Sequence, residues 1–312
     1  MSVCLVTGGA GFIGSHLVEA LLARGDKVRV LDNLSTGYVV NLQPVINQIE
    51  FIKGDIQDKT AVQKAVSGVD FVFHLAAMVS VPQSMHQPLD AELMNAAGTL
   101  NLLQAASEAG VQCLALSSTC AVYGDEPTLP KVETMLPEPK SPYAVAKLAA
   151  EHYCRVFNES FNLNTVVFRY FNVFGPRQDP SSAYSGVISI FVDKLHQGIA
   201  PTIFGDGEQT RDFVYVADVV RANLLAVETE QAAGQVFNIG TGYQVSINQL
   251  FESLCGILGC DVQPNYAPPR VGDIVHSLSN PDRAKKILGW QSEVSLEEGL
   301  RHLVTDLKIS IG

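Results

Sequence analysis

Apolar residues fall into two alternating patterns along the first half of the chain. Short runs are apolar at nearly every position: VCLVT (3–7), KVRVLD (27–32), EFIKGD (50–55), DFVFHLA (70–76), QCLALSS (112–118) and TVVFRYF (165–171). A strand covered on both faces reads this way, because both of its sides meet core. Between the runs lie longer stretches with helical spacing, at 14–24, about 59–67, about 88–109 and about 142–161. Strand and helix in repeated alternation predict a parallel, doubly wound α/β sheet with helices on both faces.

After about residue 172 the pattern loosens. FGPRQDPSSAYSG (174–186) and APPRVGD (267–273) are rich in turn formers and read as loops. SINQLFESLCGIL (246–258) reads as a helix, with Ser246 placed to cap it. No sharp linker divides the chain, so the second part is expected to pack on the first and leave a cleft between them. The expected division is 1–172, rejoined by about 212–240, for one domain, and 173–211 with 241–312 for a smaller α/β domain.

Composition narrows the picture further. With 312 residues and 47% hydrophobic content the chain can bury a sizeable core and is not disordered. A net charge of −11 argues against a nucleic-acid surface. No apolar segment reaches the roughly 18 residues of a membrane helix, and the N-terminal residues do not read as a signal peptide. The six cysteines form no C-x-x-C pair, and no His cluster completes a metal site. The expectation is a cytoplasmic protein with reduced thiols, no metal and no membrane or nucleic-acid partner.

VTGGAGFIGSHL follows the first strand and opens a helix. Gly8, Gly11 and Gly14 have the spacing of a dinucleotide cradle: a tight exit from the strand, close approach to a pyrophosphate, close helix–sheet packing. Phosphate would face the amide-rich end of the helix. The expected fold is therefore Rossmann-type, with the smaller C-terminal domain for substrate. Asp32 ends the second strand, eighteen residues after Gly14. An acid there accepts from the ribose hydroxyls and would repel a 2′-phosphate, so the expected cofactor is NAD. Asp55, at the end of the third strand, is a second candidate, for the adenine end.

SPYAVAK carries the candidate chemistry. Ser141 is placed as N-cap and Pro142 at the first helical position. Tyr143 and Lys147 then share one helical face at i and i+4. A phenol ionises near pH 10, and a neighbouring ammonium together with a nicotinamide cation is expected to lower that value enough for general-base work.

In order along the chain, TGGAGFIG, HLAA, SSTCAVYG, SPYAVAK, RYFNVFGPRQ, RDFVYVADV and RVGDIVHSLSN resemble the extended short-chain dehydrogenase/reductases. The likeness is closest to the nucleotide-sugar 4-epimerases, and within them to bacterial UDP-N-acetylglucosamine 4-epimerases. The resemblance implies Tyr143 as acid/base, Lys147 on the nicotinamide ribose, and Thr119 on the sugar's 4-oxygen, with Ser118 a second hydroxyl. It implies Phe12, Ile13, Asn33 and Ile56 as further cofactor contacts. Leu75, Ala76 and Ala77 of HLAA, and Tyr170 of RYFN, join that set. For the nucleotide sugar it implies Asn172, Val187, Arg211, Arg270 and Asp273, and a homodimer formed through helices around 90–108 and 143–160. Ser80 and Ser84, in VSVPQS, are expected to line the sugar pocket.

Two features of the resemblance bear on the reaction. Dehydratase relatives place an Asp-Glu pair after the threonine, and decarboxylating relatives a glutamate near it. Here Cys120 and Ala121 stand there. The site could oxidise C4 and reduce it again, but has no evident group for elimination. Ser277 falls where enteric UDP-galactose epimerases carry a tyrosine, and a small residue leaves room for a 2-acetamido group. UDP-GlcNAc/UDP-GalNAc is the expected pair. UDP-glucose/UDP-galactose, UDP-glucuronate, and a non-catalytic NAD-binding sensor remain the alternatives.

Overall fold

The computed structural model describes residues 1–179, 186–269 and 274–311. Six apolar runs become strands: β1 (Val3–Thr7), β2 (Lys27–Asp32), β3 (Ile49–Lys53), β4 (Phe71–His74), β5 (Cys113–Thr119) and β6 (Asn164–Tyr170). Short strands β7 (Asn172–Phe174), β8 (Thr202–Phe204), β9 (Thr210–Arg211) and β10 (Phe213–Tyr215) follow. Then β11 (Val236–Ile239) returns to the large sheet, and β12 (Val245–Ser246) and β13 (Asn265–Ala267) pair outside it. The large sheet has seven strands in the order β3-β2-β1-β4-β5-β6-β11, and every pairing in it is parallel. The order reverses between β1 and β4, and a crevice opens at such a switch point beyond the carboxyl ends of the strands.

The fully apolar strands are explained by helices on both faces. On β5, Cys113 and Ala115 point into one core with α1 (Phe12–Ala23), while Leu114 and Leu116 point into the other with α2 (Lys59–Val66). A short helix, α3 (Val81–His86), lies where the sequence pattern suggested only pocket lining; Ser80 caps it by accepting from Gln83 N at 2.9 Å. The stretch expected as one helix over about 88–109 is α4 (Pro88–Glu92), a π-helical turn (Leu93–Ala97) and α5 (Gly98–Glu108). The widened turn seats the Asn95 amide on both backbone groups of Met78, at 2.8 and 2.9 Å. α6 (Pro142–Ser160) begins as predicted, with Ser141 Oγ accepting from Ala144 N at 3.2 Å.

A third core lies outside the sheet. It gathers α7 (Val187–His196), residues at the start of α8 (Val216–Glu228), α9 (Ile247–Leu258) and part of the C-terminal segment, around Phe174, Phe191, Phe251 and Leu300. The rest of α8 packs on the sheet beside α1. α9 carries a full capping box between Ser246 and Gln249. α10 (Asp282–Leu288) and α11 (Leu296–Ile311) complete the chain. Among the described residues no helix is long and apolar enough to cross a membrane.

Candidate active site

The glycine turn between β1 and α1 is built for close approach. Gly8 sits at φ +71°, and a Cβ there would lie 2.7 Å from Ala76 N. At Gly14 a Cβ would lie 2.2 Å from Gly8 O, so that position also requires hydrogen. α1 has no side-chain cap and no acid in its first turn. The leading amides of α1, including those of Phe12 and Ile13, therefore have no partner of their own within the helix. Uncapped amides at a helix N-terminus, beside glycines with no side chains, fit a dinucleotide's diphosphate. Asp32 is buried and already accepts from Ala10 N (2.9 Å) and Leu34 N (2.8 Å). A carboxylate offers about four lone-pair positions, so two remain for a ribose diol.

Asn33 donates to Asp55 across 2.7 Å, and Asp55 also accepts from Gln57 N at 2.8 Å. These two candidates thus lie together at the ends of β2 and β3. Leu75, Ala76 and Ala77 are half-buried just after β4. Ile56 and Tyr170 are different. Ile56 is buried against Gly98 of α5, and the Tyr170 ring stacks on Phe168 with its hydroxyl accepting from Asn223 Nδ2 at 2.7 Å. Both side chains are occupied with packing.

The candidate catalytic residues gather where β5 meets α6. Tyr143 is buried, with the Thr119 hydroxyl near its phenol. Thr119 Oγ1 also accepts from Ala121 N at 3.1 Å. Without the nicotinamide cation, Lys147 is not among the groups that set the Tyr143 pKa. Burial pushes the phenol up to about 12, the nearby Thr119 hydroxyl opposes this, and Cys120 adds to the rise. Lys147 Nζ instead donates to Ser117 O at 2.8 Å, and burial lowers its own pKa to about 8. With these side chains alone the phenol holds its proton; a further positive charge is needed before it can serve as a base.

Ser118 turns away from this cluster. Its hydroxyl donates to Glu151 Oε1 at 2.5 Å, and Glu151 pairs with Arg169 at 2.7 Å, both nearly fully buried. Ser84 is fully buried as well; its hydroxyl donates to Val81 O (2.7 Å) and accepts from Tyr143 N (3.1 Å). Ser80 is spent on capping α3. Ser84 therefore positions the start of the helix that carries Tyr143, and Ser80 the start of α3.

On the far wall, the Ser277 side chain lies beside the Cys120 thiol, and Arg211 acts on the same thiol electrostatically. Thr119, Tyr143, Cys120, Ser277 and Arg211 thus form one neighbourhood. Arg211 Nη1 donates to Thr210 O (2.9 Å) and Val275 O (3.3 Å). Asn172 begins β7, whose partner strand β10 follows Asp212, and Val187 opens α7. Arg270 and Asp273 lie outside the described residues.

Two features of this wall were not found from the sequence. Asp212 is fully buried and accepts five hydrogen bonds, from the amides of Thr241, Gly242 and Ser279 and the hydroxyls of Thr241 and Ser279, at 2.5–3.1 Å. It ties together the segments that flank Arg211 and Ser277, and its sequence neighbours carry no signal of that. Beside them opens a cleft of about 730 Å³, with Phe204 and Tyr266 among its lining residues and Gln209, Val275 and His276 along its wall. Flat rings beside polar groups suit a planar base. Among the described residues no group of three or more His, Cys, Asp or Glu could hold a metal ion.

A seven-stranded parallel sheet, an uncapped glycine cradle at its first βα turn and an acid closing β2 define a dinucleotide-binding α/β protein, with Tyr143 and Lys147 set past the switch point. Residues 4–240 match the model of the NAD dependent epimerase/dehydratase family, and the chain belongs to that family. It is an NAD-dependent enzyme. Its structure is similar to the UDP-glucose 4-epimerase of Thermotoga maritima with UDP-glucose: 43% identity, TM-score 0.95, 99% of this chain and 100% of that one covered. It is equally similar to a UDP-N-acetylglucosamine 4-epimerase of Methanobrevibacter ruminantium in complex with UDP-N-acetylmuramic acid, with 40% identity, TM-score 0.95 and 99% of each chain. The UDP-glucose 4-epimerase of Thermus thermophilus in complex with NAD is 40% identical, at TM-score 0.90 over 98% of this chain and 99% of that one.

Proposed function

We propose that this enzyme is a UDP-sugar 4-epimerase whose preferred pair is UDP-GlcNAc and UDP-GalNAc. The observation that carries the reaction type is the contact between Thr119 and Tyr143 with only Cys120 and Ala121 following. NAD, when bound, supplies a reversible hydride acceptor and a cationic ring, and Gly8, Gly11, Gly14, Asp32 and Lys147 are the residues assigned to hold it. Tyr143 Oη takes the proton of the sugar's 4-hydroxyl and gives it back after the ring has turned over. Thr119 holds the 4-oxygen against that phenol. No neighbouring acid or base stands ready to expel water or carbon dioxide, so the cycle returns an isomer.

The nucleotide is assigned to the cleft beside Phe204 and Tyr266, with Asn172, Val187 and Arg211, and with Arg270 and Asp273 on its diphosphate and ribose. The division 1–172 with 212–240 for NAD, and 173–211 with 241–312 for the nucleotide sugar, follows from that assignment. Ser277 favours the acetylated sugar because a small side chain on the wall opposite Tyr143 leaves room at C2. Similarity to UDP-glucose 4-epimerases supports UDP-glucose/UDP-galactose as a second pair.

Purified enzyme incubated separately with UDP-GlcNAc, UDP-glucose and UDP-glucuronate, followed by the anomeric proton resonance, tests this. The expected result is fastest conversion of UDP-GlcNAc. Conversion of UDP-glucose alone refutes the acetylated preference, and conversion of none refutes the epimerase. The enzyme is further assigned as a cytoplasmic homodimer. Six free thiols suit a reducing compartment. Leu89, Leu93, Val145 and Val156 stand exposed on α4, α6 and the turn between α4 and α5, a patch that a second copy would cover. Val145→Glu should shift the mass seen by light scattering from dimer to monomer.

A further inference from the structure

Lys131 is a buried lysine that the reaction described above does not use. Its backbone pairs with the segment carrying Ser277: Lys131 N donates to Leu278 O at 2.8 Å, and Asn280 N donates to Lys131 O at 2.9 Å. Lys131 and Ser279 are opposed in a parallel bridge. Side chains two apart on an extended segment share a face, so Ser277, Ser279 and the opposed Lys131 all project to one side. On that side Ser277 lies beside Cys120, which follows Thr119, and deeper along it Ser279 bonds to Asp212. Lys131 is close enough to Cys120 for the two to interact electrostatically.

An ammonium has three donors. Among the described residues Lys131 Nζ has one hydrogen-bond acceptor, the Glu126 carbonyl oxygen. The Glu126 carboxylate accepts from Thr128 N at 2.9 Å and acts on the ammonium only through space. Burial holds the Lys131 pKa below the ordinary lysine value, as expected for an ammonium with fewer acceptors than donors. A buried cation with two open donors, on the face of Ser277, calls for an oxygen from whatever fills the pocket.

We propose that Lys131 is a specificity-determining residue, its ammonium reaching the acyl oxygen of a 2-acetamido group that Ser277 leaves room for. This rests on the UDP-sugar 4-epimerase reading and deepens it. A plain 2-hydroxyl is shorter and leaves the ammonium under-satisfied, so the lysine discriminates by what each sugar offers it.

The test compares Lys131→Met, Lys131→Arg and the unaltered full-length enzyme on UDP-GlcNAc and UDP-glucose, with thermal melting of each. Loss of one charged hydrogen bond should lower kcat/KM for UDP-GlcNAc by about 10- to 100-fold in Lys131→Met, chiefly through KM. For UDP-glucose the loss should stay below about threefold, and Lys131→Arg should recover part of the UDP-GlcNAc activity. Equal loss on both sugars marks a structural lysine and overturns the proposal, as does an unchanged UDP-GlcNAc activity. If the unaltered enzyme converts UDP-glucose but not UDP-GlcNAc, Lys131 is refuted while the epimerase stands. If it converts neither, the reading beneath falls.

Discussion

Glu151→Gln should be the most damaging single-atom exchange near the site, although it touches no substrate. Glu151 and Arg169 are each about 5% exposed, and the guanidinium donates to the carboxylate three times, at 3.1, 3.2 and 2.7 Å. Ser118 adds a fourth bond at 2.5 Å. Arg169 Nη1 already lacks a hydrogen-bond partner, its charge resting over the Tyr123 ring with the guanidinium carbon 4.8 Å from the centroid. Neutralising Glu151 leaves a buried cation with no counter-charge, a cost of about 3–5 kcal/mol. At about 2 °C per kcal/mol for a chain of this size, the melting temperature should fall by about 6–10 °C. Replacing both partners, as Glu151→Leu with Arg169→Met, removes both buried charges and should return stability to within about 2 kcal/mol of the native enzyme. Thermal melts by circular dichroism measure all three. A loss below about 1 kcal/mol in the single variant, or a double variant no better than the single one, refutes the reasoning.

Lys147→Met should reveal a buried charge through pH. The Lys147 pKa is lowered to about 8 in the folded chain, against about 10.4 unfolded, so the unfolded state binds more protons between those values. The native chain's penalty for Lys147 is therefore full below pH 8 and fades as pH rises toward 10. The stability difference between Lys147→Met and native enzyme should shift by up to about 3 kcal/mol over that window, and a flat difference in denaturant melts contradicts the burial. Tyr143→Phe should cut turnover by about 10²–10⁴ while UDP affinity by calorimetry stays within about threefold; retained turnover removes Tyr143 from the reaction. Ser277→Tyr should lose UDP-GlcNAc activity well before UDP-glucose activity, and equal loss argues against a size filter at this wall. Gly14→Ala should misfold or melt far below the native enzyme, because its Cβ would stand 2.2 Å from the Gly8 carbonyl oxygen; an unshifted melt would show that the βα turn can open.

What the sequence made legible was local. Strands apolar on both faces announced a sheet buried between helix layers, and Gly8, Gly11 and Gly14 announced the cradle, because each signal sits within a dozen residues. Tyr143 and Lys147 were legible for the same reason: four residues on a helix fix a shared face. Spacing on a helix says nothing, however, of where an ammonium finds its acceptor. Lys147 finds Ser117 O, thirty residues away. The π-turn at Leu93–Ala97 was invisible to a periodicity of 3.6, which it interrupts for one turn only.

Long-range pairing was what the sequence withheld, and it decides how the reacting wall is held. Asp212 gathers Thr241, Gly242 and Ser279 around one carboxylate, and Tyr123 donates to Asn238 across 115 positions at 2.6 Å. Asn238 in turn donates to the Lys131 carbonyl at 2.8 Å. The 3₁₀ turn after Thr119, the Lys131 segment and β11 are therefore one hydrogen-bonded unit, and Ser277 rides on the segment paired to it. A 4-epimerase must let its sugar turn over between two half-reactions while the phenol and the 4-oxygen contact stay fixed. Such a site needs a rigid floor and a roomy wall. Here the floor is β5 with α6, locked by Ser118, Glu151 and Arg169. The wall is lined by Cys120 and Ser277, both small, and is pinned from behind by Asp212.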